Sequence, residues 1–228
     1  MKTFILCGGF GTRIDHEGKL KAKPMVRIGH KPILMHIVEN YIKQGYNDFV
    51  FCLGHKSNTI INYFLKENKK NITILEKKKN LIKFFFILNK NKFTGNLIYT
   101  GLNTGTGGRI KKAYKKLKLD EDIMLTYGDG LSNVSIKKLI KFHYKNRSEV
   151  TMTAVRPKQR YGVLKLNKNK VKFFDNNTYW EIEPLKYFLR QKKLYAFKHE
   201  GFWKSLDTLK DKNDFNQMFQ KNKKPWIV

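Results

Sequence analysis

A chain of 228 residues with 41% hydrophobic content is long enough to bury the core of an α/β domain, and no apolar run in it reaches the length of a membrane span. Its two cysteines, Cys7 and Cys52, belong to no Cys-x-x-Cys pair, so a zinc framework is not expected and both read as core thiols. The formal charge of +29 raises nucleic-acid binding as a function class, but the excess is nearly all lysine scattered through every segment, so nucleic acid is not the expected partner.

The N-terminus reads as a core strand over residues 3–7, not as a secretory leader, and predicts a cytoplasmic location. That strand runs into Gly8-Gly9-Phe10-Gly11-Thr12-Arg13. Glycines let the backbone turn sharply and approach a ligand closely. Successive N–H groups in such a turn form an anion site, and Arg13 adds a fork suited to phosphate oxygens. The spacing fits neither a Walker loop nor a dinucleotide fingerprint, because position 14 is Ile. A plain strand-to-helix turn is the alternative reading.

Pro32 opens an amphipathic helix that ends near Gly45, and residues 47–54 predict a second strand. Ser57 is a candidate N-cap for a helix over 58–67. Residues 72–75, 84–88 and 96–100 read as strands, with the lysine-rich run 66–92 carrying an exposed loop. A second Gly/Thr-rich turn, Thr104 to Arg109, leads into a helix through Leu117. Residues 122–127 form a predicted strand that ends in Gly128-Asp129-Gly130, followed by a helix over 135–144 and a strand over 149–155. Residues 161–166 and 170–174 would pair across Asn167-Lys-Asn-Lys170. A helix over 183–192, short strand-like pieces at 195–197 and 201–203, and a helix over 208–220 complete the chain. The alternation of strand, turn and helix through residue 155 predicts an α/β fold with a Rossmann-like mixed, mostly parallel sheet and helices on both faces. One domain is expected over 1–228.

Four elements converge on strand ends in this reading. They are the Gly8–Arg13 loop, Lys23 before Pro24, the Thr104–Arg109 turn, and Asp129. A carboxylate in a Gly-Asp-Gly turn is often only a turn-former. Facing a phosphate loop, it would need a cation between two anions, a role that suits Mg²⁺ held by one or two carboxylates plus substrate phosphates. Asp207 is the distant partner considered for Asp129, with the N-cap of the last helix as its alternative role.

These residues resemble the sugar-phosphate nucleotidyltransferases, and most closely the glucose-1-phosphate cytidylyltransferase branch. The resemblance rests on Gly8-Gly9-Phe10-Gly11-Thr12-Arg13, Lys23-Pro24-Met25, Thr106-Gly107-Gly108-Arg109 and Tyr127-Gly-Asp-Gly130. It continues through Arg160-Tyr-Gly-Val163, Trp180-Glu-Ile-Glu-Pro-Leu185, Gly201-Phe-Trp203, Asp207-Thr208 and Pro225-Trp226. It implies the nucleotide-diphospho-sugar transferase fold, with a nucleotide half over about 1–155 and a sugar-binding half over about 156–228. It implies transfer of CMP from CTP to glucose 1-phosphate, giving CDP-glucose and pyrophosphate for surface polysaccharide, in a homo-oligomer. By the same resemblance Leu6, Gly8, Gly9, Gly11, Thr12, Arg13, Lys23, Thr106, Gly107, Gly108 and Arg109 contact the nucleotide. Arg13 and Lys23 are catalytic, and Asp129 and Asp207 hold Mg²⁺.

Two departures from the family pattern stand out. Phe174 runs almost directly into Asp175-Asn-Asn-Thr-Tyr-Trp180, with no Glu-Lys-Pro and no Asn-Gly-Gly. An internal deletion near 171–180 is therefore expected over the sugar site, with Lys170 or Lys172 as stand-ins for the lost lysine. The loss of a strand should open the sheet or leave an edge unpaired. Leu102 stands where the branch has an acidic residue near the base. A nucleotide-binding homologue without transferase activity is the alternative function, with a nucleic-acid-binding protein behind it.

Overall fold

The computed structural model describes residues 1–9, 21–155, 163–166, 175 and 177–228. Strand β1 (Lys2–Cys7) is buried from its second residue onward, as its unbroken apolar run demands. A short 3-10 turn at Lys23–Met25 and a small hairpin, β2 (Arg27–Ile28) with β3 (Lys31–Pro32), lead into helix α1 (Ile33–Lys43). Strand β4 (Asp48–Leu53) follows, then α2 (Ser57–Asn62) and a π-helical turn at Tyr63–Glu67. Ser57 is not the cap: Lys56, in the left-handed conformation, precedes the helix, and no side chain caps it.

The lysine-rich run is a three-stranded antiparallel meander, not a loop: β5 (Ile72–Lys78), β6 (Leu81–Leu88) and β7 (Asn91–Tyr99). Asn89 and Lys90 both have positive φ, as a tight two-residue hairpin turn requires. Phenylalanines from these strands face inward. Phe84, Phe86 and Phe93 pack with Phe64, Phe49 and Phe51 at ring separations of 5.0–6.5 Å.

Helix α3 (Thr106–Lys116), strands β8 (Ile123–Tyr127) and β9 (Gly130–Ser132), helix α4 (Ile136–Lys145) and strand β10 (Val150–Val155) come next. Strand β11 (Val163–Leu166), helix α5 (Glu183–Arg190), strands β12 (Leu194–His199) and β13 (Trp203–Ser205), and helix α6 (Leu209–Gln220) close the chain. The main sheet has the order β12-β10-β11-β8-β1-β4-β7-β6-β5. Its centre, β8-β1-β4-β7, is parallel throughout. Antiparallel pairs flank it on both sides and β12 joins β10 in parallel at one edge, so the sheet is mixed, with its longest parallel run at the buried centre.

The expected opening of the sheet does not occur: β11 lies antiparallel between β8 and β10 and keeps the ladder continuous. The proposed partner of β11, residues 170–174, lies outside the described residues. Alternation along the strands divides the core. Ile5, Phe49, Phe51 and Leu53 face one cluster with α1 and Trp226; Phe4, Leu6, Val50 and Cys52 face another with Ile110, Trp180 and Phe188. No helix among the described residues is long and apolar enough to cross a membrane.

Helix α1 carries one titratable group into the first cluster. His36 is 2% exposed, donates from Nε2 to the Ile28 carbonyl at 2.9 Å, and meets the rings of Phe219 and Trp226 edge-on. Burial pushes its pKa down from 6.5 to about 4, with Lys31 and His30 adding to the fall and Glu39 opposing it. The imidazole is thus neutral in the folded chain and protonated first in the unfolded one. Its contribution is complete above pH 6.5 and declines as the pH falls toward 4, by roughly 3 kcal/mol at most. Calorimetric melting temperatures should fall between pH 7 and pH 4.5 more steeply for the native chain than for His36→Asn. Equal slopes would remove His36 as the cause.

Candidate active site

Strand β1 has parallel neighbours on both sides, β4 and β8, so the order of winding reverses at its C-terminal end. Open α/β sheets bind ligands in the crevice at such a reversal. Gly8 and Gly9 follow β1 there, and Gly128-Asp129 follow β8. The Gly128 N–H donates to the Leu6 carbonyl at 3.0 Å. A Cβ on Gly128 would lie 2.8 Å from Pro24 Cγ and 3.1 Å from the Leu6 carbonyl oxygen. Glycine at 128 therefore lets Lys23-Pro24 pack down onto the ends of both strands. Gly11, Thr12 and Arg13 lie outside the described residues.

Three charged side chains meet in this crevice. Lys23 Nζ lies 2.6 Å from Asp129 Oδ2 and 2.6 Å from Asp207 Oδ1. The two carboxylates are held in register by a small antiparallel ladder, in which Gly130 of β9 faces Ser205 of β13. The Leu206 N–H donates to the Asp129 carbonyl at 2.8 Å. Burial disfavours a charged Lys23, but Asp129 and Asp207 outweigh it and leave the pKa raised. Burial likewise opposes ionisation of Asp207; hydrogen bonds from Lys23 and Ser205 prevail and hold its carboxyl below the usual range. The site is thus a carboxylate–ammonium–carboxylate triad.

Asp207 does not cap the last helix. Thr208 does so, in a reciprocal capping box with Asp211, whose Oδ2 also accepts from the Asp207 N–H. That arrangement leaves the Asp207 carboxylate facing Lys23. Two carboxylates on either side of a cation form an all-oxygen donor set that fits Mg²⁺ together with substrate phosphates.

The Thr-Gly-Gly-Arg turn behaves differently from expectation. Arg109 is 4% exposed, and its guanidinium donates to the carbonyls of Gly8, Leu53, Gly101 and Leu102 and to the Thr100 hydroxyl, at 2.7–3.1 Å. It clamps the ends of β1, β4 and β7, and burial pulls its pKa down from the ordinary guanidinium value. The Gly107 and Gly108 N–H groups donate to the Thr178 carbonyl at 2.8 and 3.3 Å. The Thr106 hydroxyl donates to Glu181 at 2.6 Å and accepts from the Trp180 N–H at 3.1 Å. Both cysteines are buried and free, and burial pushes the Cys7 thiol well above its ordinary pKa, so neither is a nucleophile.

Two cavities flank the triad. The smaller, about 190 Å³, is lined by Leu6, Cys7, Gly8, Gly9, Lys23, Thr104, Thr106, Arg109 and Tyr179. The larger, about 440 Å³, reaches from Asp207 and Glu181 back to Ile37, Tyr41, Leu139 and Met152, and its far end is mostly apolar. Tyr127 and Asp129 line both. The Tyr127 hydroxyl donates to Glu181 and accepts from Trp180 Nε1. Burial, followed by Glu181, pushes its pKa up. Sequence reasoning did not single out Tyr127, Glu181 or Tyr179 as site residues; the Trp-Glu-x-Glu-Pro motif was the signal available for Glu181.

Comparison with known proteins agrees with this geometry. The family model for nucleotidyl transferases matches residues 2–176. The chain is 35% identical over 257 aligned positions to a glucose-1-phosphate cytidylyltransferase of Salmonella typhimurium, covering 99% of this chain and 98% of the relative. It is 33% identical to a probable glucose-1-phosphate cytidylyltransferase of Bacillus subtilis, over the full length of both. The 257 aligned positions exceed the 228 residues present here, so the Salmonella protein has positions without a counterpart in this chain. Among solved structures, HddC from Yersinia pseudotuberculosis superposes with a TM-score of 0.69 at 20% identity, covering 96% of this chain and 99% of that one. A putative glucose-1-phosphate thymidylyltransferase from Bacillus anthracis gives 0.70 at 13% identity, covering 96% and 94%. With β1, its glycine turn and the Asp129 crevice all inside the matched span, the chain belongs to the nucleotidyl transferase family.

Proposed function

We propose that this chain transfers CMP from CTP to a sugar 1-phosphate, glucose 1-phosphate in the first instance, releasing pyrophosphate. The observation that carries the reading is the ammonium of Lys23 between Asp129 and Asp207, at the point where two cavities meet. In this reading the smaller cavity takes the nucleotide and the larger takes the acceptor. An acceptor phosphate oxygen attacks the α-phosphorus, the bond to the β-phosphate oxygen breaks, and pyrophosphate departs with its electron pair. The nucleophile is already an anion, so no general base is required, and positioning with charge neutralisation supplies the catalysis. Lys23 shares its charge between the carboxylates when the crevice is empty of substrate and turns to the phosphates when they enter. Asp129 and Asp207 would hold Mg²⁺, which neutralises phosphate charge when bound. Arg109 acts at one remove, by fixing the Gly8 and Leu102 carbonyls that shape the nucleotide side. In this reading both parts of the chain serve both substrates: Tyr179 lines the nucleotide cavity, and Ile37 and Met152 line the acceptor cavity together with Glu181 and Asp207.

One observation favours a second reading. The relatives carry aligned positions that this chain lacks, and the far end of the acceptor cavity is mostly apolar. A chain that binds CTP without transferring it would account for both.

Purified protein with Mg²⁺ and glucose 1-phosphate should release pyrophosphate with CTP in preference to UTP, dTTP or ATP. CTP binding without release from any pair selects the second reading. Asp129→Asn and Asp207→Asn should each lower kcat by about 10²–10³-fold while the fold survives, because each removes one carboxylate that holds the cationic groups facing the reacting phosphates. Full activity in either variant, measured by the same assay, would dismantle the triad as the catalytic centre.

A further inference from the structure

The segment 177–181 lies across the N-terminus of α3. Its central carbonyl, that of Thr178, accepts from Gly107 and Gly108. On its far side Trp180 is 1% exposed, anchored in the second core cluster, and its backbone N–H donates to Thr106. Glu181 accepts from both Thr106 and Tyr127. The approach is close enough to require glycine beneath it: a Cβ on Gly105 would lie 2.5 Å from the Thr178 carbonyl oxygen, and one on Gly107 2.9 Å. Tyr179 is therefore held between two fixed neighbours.

Its own side chain goes the other way. Tyr179 is 57% exposed, an unusual state for a large ring between two anchored residues, and it lines the smaller cavity together with Gly8 and Gly9. Lys23, Asp129, Thr104 and Thr106 line the same cavity. Aromatic faces stack on nucleobases irrespective of their hydrogen-bonding edge. We propose that Tyr179 is the base platform of the nucleotide site: the nucleobase lies against its ring while the phosphates reach Lys23. The inference rests on the nucleotide-transfer reading above and adds to it a residue that no motif assigns. It also gives the Thr-Gly-Gly-Arg turn a job, since Gly107, with Gly105 just before the turn, admits the segment that presents the ring.

Titration calorimetry on the full chain with Mg²⁺ tests this, with CTP and inorganic tripolyphosphate as probes. Tyr179→Ala should weaken CTP binding about 10-fold, the scale of a lost stacking contact, and Tyr179→Phe should stay within about 2-fold of the native chain. Tripolyphosphate, which has no base, should bind all three proteins alike. Native CTP affinity in Tyr179→Ala, an equal loss in Tyr179→Phe, or a parallel loss of tripolyphosphate would each overturn the assignment. The native chain's failure to bind any nucleotide would overturn it together with the transfer reading, whereas CTP binding by the native chain with no effect at position 179 would overturn the platform alone.

Discussion

The guanidinium of Arg109 is the fixed point of the molecule's working face. A buried cation is costly unless its donors are satisfied, and here four backbone carbonyls and a hydroxyl satisfy them. Those oxygens belong to the segments that leave β1, β4 and β7. Loops at a sheet's ligand edge normally move relative to one another. A single planar fork binding three of them removes that freedom and fixes the crevice before any ligand enters. The tightness is visible at Gly8 and Gly54, where an added Cβ would collide with the guanidinium.

The triad is built on that platform by different means. Lys23 reaches it because Gly128 leaves room for Pro24, and Asp129 because β8 ends beside β1. Asp207 arrives from the far end of the chain through the β9–β13 ladder and the helix cap at Thr208. None of the three positions depends on a flexible loop tip. In a chain with +29 formal units of excess charge, Asp129 and Asp207 are placed on Lys23 and Asp211 on Lys204.

The backbone plan was largely legible in the residues. Unbroken apolar runs marked β1, β4 and β8, and the glycines after them marked the ligand edge. Lys23 and Asp129 stood out as charged residues beside proline and glycine at predicted element ends, and Asp207 as a carboxylate before the last helix. The three strands β5 to β7 were legible but too short, and their hairpin pairing was not, because Asn89-Lys90 adopts a turn usually announced by glycine. The clamp made by Arg109 was not legible, since a sequence shows an arginine but not which carbonyls its fork meets. Tyr179 was invisible for another reason, and Glu181 showed only through its Trp-Glu-x-Glu-Pro motif. Their roles arise from where residues 177–181 land on α3, and that landing is a product of tertiary packing rather than of any local pattern.

The span between Lys23 and Asp207 has a consequence for how the molecule comes into being. The two partners are separated by 184 positions, and β1, at the N-terminus, must wait for β8 before it has neighbours on both sides. Contacts of such separation close long loops and slow folding. The crevice gains its second carboxylate only when β13 meets β9. The same C-terminal segment sets Phe215 and Trp226 into the first core cluster, so the contact that completes the charged triad also completes the packing beneath it.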